Sequence, residues 1–198
     1  MSIIVVNVIV FIIELMNGDQ FVLHWSMVNA DVSAGHRLTT ILTSMFLHAS
    51  WSHIIGNMIF LWAFGPEIED EMGPARYLLF YLVGGVAASL TQVVVAPHSM
   101  VPSLGASGAI AAVMGAFLVT FPNDRIRTLL FLFVFVTVSY IPAVVLIGLW
   151  FLSQLIDAGQ VVSTQAQSAG GVAYTAHIGG MLFGMIFARF FQRRTSTG

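Results

Sequence analysis

Six apolar stretches, roughly residues 2–16, 51–66, 76–96, 105–121, 127–152 and 172–191, leave this chain few ways to fold. A helix that crosses a bilayer needs about 20 apolar residues, within a range of about 17–25. A chain that is 58% hydrophobic and only 8% charged cannot cover a water-facing surface, since a soluble domain carries about one quarter charged residues. The expectation is an all-α, multi-pass integral membrane protein, a single domain over residues 1–198 with six transmembrane helices. The first stretch is short, so it either starts upstream or lies in a thinned bilayer. It has no basic segment before it and no Ala-x-Ala pattern after it, so it reads as a span and not as a signal peptide.

Arginine placement sets the orientation. With the N-terminus inside, Arg76, Arg125, Arg127, Arg189, Arg193 and Arg194 are cytoplasmic and Arg37 alone is outside. Both termini are therefore expected in the cytoplasm. The net charge of −2 implies no nucleic-acid partner, and the absence of cysteine removes thiolate and disulfide chemistry. The first outer loop, about 17–50, is long and amphipathic and suits the interface plane. The last outer loop, about 153–170, is rich in Ser, Gln, Ala and Gly and reads as a mobile cap.

Polar groups inside spans are costly and tend to be functional. In the inside-to-outside order just given, spans two, four and six all run inward. His53 and, one turn deeper, Asn57 then lie near the outer end of span two, Ser107 near that of span four and His177 near that of span six. Each has a bland reading as a packing or helix-bridging residue. Their coincidence at one depth does not. Gly105 and Gly108 clear side chains from beside Ser107, and Gly180 and Gly184 form a small-residue strip on the His177 face. Such a strip lets span six approach a neighbour closely enough for an imidazole to reach a hydroxyl. A serine at a helix start also has free backbone N–H donors nearby.

Gly105-Ala106-Ser107-Gly108, the run Ala176-His177-x-x-Gly180-x-x-x-Gly184 and His53-x-x-x-Asn57 resemble the rhomboid intramembrane serine proteases. The approach run Leu42 to His48 and the inner Gly65-x-x-x-Glu69-x-x-x-Gly73 are similar to that family too, so the resemblance covers about residues 38–191. It implies a six-helix rhomboid-like bundle that cleaves transmembrane proteins near the outer face. By matched position Ser107 is the expected nucleophile and His177 its base. His53 and Asn57 are the expected oxyanion donors, His48 a support for local structure and water, and Glu69 a brace for the inner loop. No cofactor or metal is expected. The chain has no His-Glu-x-x-His, and His48 and His53 stand five apart with no acid between them. The expected setting is a prokaryotic cell membrane.

Two positions depart from the family pattern. Ala111 stands where an aromatic residue often stacks on the imidazole, so Tyr174 or a phenylalanine must orient His177 instead. Thr39-Thr40 stands where the first outer loop often carries Trp-Arg, with His36-Arg37 displaced by three, so that loop is expected to be anchored differently. Glu14 is the only acid embedded in an apolar run and stays open as a third catalytic member. An inactive relative that binds transmembrane clients is the alternative reading. A transporter or channel fits less well, for it would want mid-membrane charges or paired half-helices.

Overall fold

A computed structural model gives the structure of residues 2–132, 135–152 and 174–193. Helix α1 spans Ser2–Asn17. Three short helices follow, α2 (Asp19–Trp25), α3 (Asn29–Ser33) and α4 (Thr40–Thr43), with a 3-10 turn at Ser44–Phe46. The long helices α5 (Trp51–Met72) and α6 (Pro74–Val95) come next. They are followed by α7 (Ser107–Thr120), α8 (Ala143–Leu152) and α9 (Tyr174–Phe191). Among the described residues, α6 is long and apolar enough to cross a membrane alone, and α1, α7 and α8 are shorter apolar helices.

Helix α7 is the centre of the bundle. Nine consecutive residues, Ala109 to Phe117, are buried, and a helix apolar on every side belongs inside other helices. Its neighbours are α5, α6 and α9. Contact with α9 is backbone to backbone. A Cβ added at Gly180 would strike the Gly108 carbonyl oxygen, and one at Gly184 would strike that of Ala112. Hydrocarbon gives helices no hydrophobic reason to associate, so close packing of small residues must do it.

The expected helix over 127–152 is not what forms. Strands β3 (Arg125–Leu132) and β4 (Phe135–Pro142) make an antiparallel hairpin, with Arg127 opposite Tyr140 and Thr128 opposite Ser139. The helix begins only at Ala143. The run Ile126 to Ile141 is rich in Val, Phe, Thr and Tyr, which favour strands, and hydropathy alone does not separate a strand from a span. Pro142 marks the boundary. It closes the ladder, and the next N–H, that of Ala143, donates to the Asp124 carbonyl at 2.7 Å. The fold is thus helical with a hairpin insert.

Helix α5 is longer than expected. The segment read as an inner loop, 65–73, is helical through Met72 despite Pro66 and four acids. Phe64, Ile68 and Met72, four residues apart, are buried along one face, and this packing carries the helix through. Gly73, at φ +77°, stops α5, and Pro74 starts α6. The C-terminal end of α9 is tied to this corner. The Arg193 N–H donates to the Glu71 carbonyl at 3.0 Å and the Arg76 guanidinium to the Gln192 carbonyl at 3.1 Å.

Two strands of two residues, β1 (Met27–Val28) and β2 (Pro102–Ser103), pair antiparallel and tie the first long loop to the segment before α7. Arg37, rather than a Trp-Arg pair, organises that loop. Its guanidinium donates to the carbonyls of Leu23, His24 and Ser26 and meets the Asp31 carboxylate at 3.0 Å. The expected cap at 153–170 lies outside the described residues.

Candidate active site

Ser107 is the first residue of α7. The loop before it is set by Gly105, whose N–H donates to the Ser44 carbonyl at 2.8 Å and whose φ of +125° lies where side chains are strained. Space forbids a side chain there as well. A Cβ at Gly105 would sit 2.9 Å from His53 Nε2 and 3.6 Å from Ser107 Oγ. The same point shows that the His53 ring and the Ser107 hydroxyl face one small volume. The first-turn N–H groups of α7 have no helical acceptors and are free to meet an anion at that end.

Ser107 Oγ lies 2.6 Å from His177 Nε2. The hydroxyl donates to this nitrogen in the tautomer that keeps the ring proton on Nδ1. The contact depends on the seam described above, since Gly180 stands one turn along α9 from His177 and has no side chain to hold α9 off α7. Ala111 is part of the same seam. A Cβ added at Gly180 would lie 3.3 Å from the Ala111 Cβ, so both positions are small where α7 and α9 meet. His177 is packed instead by Trp150 of α8, at 5.3 Å between ring centroids, and edge-on by Tyr174 at 6.4 Å. Trp150 was not among the residues expected here, although Tyr174 was. Nothing in the spacing of residues 143–152 marks it, because its role depends on where α8 packs.

His53 sits in the first turn of α5, where the Ser50 hydroxyl accepts its backbone N–H at 3.2 Å. Its Nδ1 accepts the Ala49 N–H at 3.4 Å. In a neutral ring that places the proton on Nε2, the nitrogen facing Gly105 and Ser107. Asn57 follows one turn later on the same face and is buried. Its Nδ2 has no hydrogen-bond partner among the described residues. A buried amide left unpaired is costly and calls for an explanation. The structure therefore brings Ser107, His177 and His53 together and leaves Asn57, one turn along α5 from His53, with a free donor.

His48 is buried and close by, with its ring 5.2 Å from that of His53. Its Nδ1 donates to the Phe46 carbonyl at 3.2 Å. Burial, together with the nearby His53, pushes its pKa down to about 4. Glu14 does not approach as a third member of a Ser-His pair. Its carboxylate accepts the His48 backbone N–H instead. Beside Ser107 a cavity of about 30 Å³ is lined by Ser44, Ser89, Gln92 and Ser103, with room for one or two waters.

The Rhomboid domain family model matches residues 35–194, and the chain belongs to the rhomboid family. It is an integral membrane protein of mostly helical structure. Its relatives include the mitochondrial RHOMBOID-like protein 12 of Arabidopsis thaliana, 29% identical over 196 residues, which covers 91% of this chain and 54% of the relative. The mitochondrial Rhomboid protein 1 of Saccharomyces cerevisiae is 30% identical over 158 residues, 78% of this chain and 42% of that one. The Rhomboid protease GluP of Bacillus subtilis is 38% identical over 85 residues, 43% of this chain and 16% of the relative. The chain thus spans about half or less of the length of these relatives. Organellar proteins stand among them beside a bacterial one, so they do not support the prokaryotic cell membrane expected from the sequence.

Proposed function

We propose that this chain is an intramembrane serine endopeptidase that cleaves transmembrane proteins near the outer face of its membrane. Six spans with both termini cytoplasmic, folded as one domain, are part of the proposal. The hairpin carrying Arg125 and Arg127 would then lie on the cytoplasmic side, opposite Ser107. The observation that carries the reading is the 2.6 Å contact between Ser107 Oγ and His177 Nε2, made on two different helices at the mouth of the bundle's central one.

The chemistry is acyl transfer. Ser107 Oγ attacks the scissile carbonyl as its proton passes to His177 Nε2. The resulting oxyanion is met by His53 Nε2–H, Asn57 Nδ2–H and a backbone N–H at the start of α7. His177 returns the proton to the leaving amine, and the C–N bond breaks. Water from the cavity beside Ser107 then attacks the acyl-enzyme, with His177 again taking the proton. Lipid supplies no water, so a polar cavity at this depth answers a need of the reaction.

Labelling with a fluorophosphonate tests the reading directly. The wild-type chain should become labelled and Ser107→Ala should not, and the variant should no longer cut a transmembrane reporter. Equal turnover by purified, folded Ser107→Ala would remove the serine mechanism. An unlabelled and inactive wild-type chain would favour the client-binding alternative.

A further inference from the structure

Glu14 is a carboxylate buried in the first apolar helix, and both its oxygens are within hydrogen-bond distance of one backbone N–H, that of His48, at 3.2 and 3.1 Å. Burying a carboxylate in such surroundings is costly and needs specific compensation. The compensation here is the N–H of His48, the first of the three residues that lead into α5. His48 is held by Glu14. Ala49 donates its N–H to His53 Nδ1 at 3.4 Å, and the Ser50 hydroxyl accepts the His53 N–H at 3.2 Å. Each of these residues makes a bond that fixes either the loop or His53. If the loop shifts, Ala49 leaves Nδ1, and nothing else described holds the ring proton on Nε2.

We infer that Glu14 is a positioning residue for the oxyanion side of the site. Its carboxylate pins the 48–50 turn, which keeps His53 in the tautomer and direction that present Nε2–H to the volume beside Ser107. The inference rests on the protease reading for its catalytic meaning, and on hydrogen-bond geometry alone for its structural one. Glu14 is thereby assigned to the opposite limb of the site from the one a triad acid would occupy. It touches the His48 backbone, not the base.

Two variants and one spectroscopic readout test this. Glu14→Gln keeps an acceptor oxygen for the His48 N–H, and Glu14→Leu removes it. With a transmembrane reporter, Glu14→Leu should lower kcat by about 10–100-fold, somewhat less than the loss of an oxyanion donor itself, and leave KM unchanged. Glu14→Gln should recover most of that loss. Because Glu14 acts through His53, Glu14→Leu combined with His53→Ala should be no slower than His53→Ala alone. Nitrogen NMR of histidine-labelled protein should show His53 protonated on Nε2 in the wild type and a mixture of tautomers in Glu14→Leu. If Glu14→Leu does not fold, Ala49→Pro, which removes the N–H given to Nδ1, should produce the same tautomer mixture and kcat loss. An unchanged His53 tautomer, a kcat equal to wild type, or losses that multiply in the double variant would overturn the inference. The tautomer readout needs no turnover, so it separates failure of the positioning role from failure of the protease reading, which Ser107→Ala reports.

Discussion

The α7–α9 seam and the α1–α5 seam lie in one bundle and are built on opposite principles. Between α7 and α9 the helices touch backbone to backbone, through Gly108, Gly115, Gly180 and Gly184. Between α1 and α5 a groove of about 610 Å³ is left, lined wholly by apolar side chains that include Val8, Ile12, Trp51, Ile55, Ile59 and Trp62. Both seams are apolar, and in lipid neither gains from hiding its carbon from water. The difference is therefore not one of hydrophobicity. A seam that must bring a hydroxyl to 2.6 Å from an imidazole is made of residues with almost no side chain. A seam that carries no such contact can be made of large ones, with acyl chains filling what the helices do not. Besides ring contacts of Phe11 with His48 and Trp51, α1 contributes a polar and local tie, that from Glu14 to the His48 loop.

The largest break should come from widening the tight seam. Gly180→Val places methyl groups against the Gly108 carbonyl and the Ala111 side chain, neither of which has a flexible end to move aside. Overpacking of a well-filled core costs about 1–3 kcal/mol or more. Here the relief that remains is to push α9 off α7, which carries His177 away from Ser107. Thermal unfolding in detergent should fall by several degrees and reporter cleavage should vanish. Normal stability together with normal turnover would show that the two helices do not need glycine to meet.

A smaller effect is expected at the support of the imidazole. Trp150→Ala removes the ring packed 5.3 Å from His177. An aromatic contact of this kind contributes about 1 kcal/mol beyond the area it buries, which corresponds to roughly fivefold if it is lost in the transition state. Trp150→Phe should restore part of the rate. The drop should appear in kcat. An effect confined to KM would make Trp150 a substrate contact and leave the orientation of His177 to Tyr174.

These two sites also show what the sequence could and could not reveal. Ser107, His177, His53 and Asn57 are findable because a polar residue in an apolar run stands out, and the glycines beside them predict which helices come close. The boundaries of α1, α6, α7 and α9 follow from the same apolar runs. The hairpin at 125–142 escaped because Val, Phe and Leu satisfy a span and a strand alike, and only Pro142 argues for a break. Trp150 escaped because a ring finds its partner through the placement of α8, which no local pattern encodes. Glu14 was visible as a lone acid. Its partner was not, since a backbone N–H has no letter in the sequence. Arg37 was visible as a displaced base, and the carbonyls it gathers were not, for the same reason.

A third effect, of pH, bears on the loop between α1 and α5. His48 lies outside the spans, on the loop that joins the α1 tie to α5, and its pKa is pushed from 6.5 down to about 4. Unfolded chain takes up a proton on this imidazole below 6.5, whereas folded chain does not until about pH 4. Between those values the unfolded state binds more protons, so stability falls as pH drops through the window and is fully recovered above it. Melting curves between pH 7 and 4 should show this loss, and His48→Asn should reduce it. An acid limb unchanged by that substitution would place the sensitive group elsewhere.

The smallest effect should come from thinning the loose seam. Val8 and Ile55 line the groove and are 41% and 53% exposed. Truncating a buried side chain leaves a cavity, and its cost grows with the empty volume. Here the volume is already open to the acyl chains, which are as apolar as the methyl groups removed. Val8→Ala with Ile55→Ala should therefore shift the melting temperature less than Met181→Ala alone, since Met181 is 1% exposed and its backbone meets Gly115 across the tight seam. Turnover in the double variant should stay within about twofold of wild type, the ordinary scatter of surface substitutions. If the double variant melted as low as Met181→Ala, the α1–α5 contact would be as tightly specified as α7–α9. The contrast between the seams would then rest on Glu14 alone.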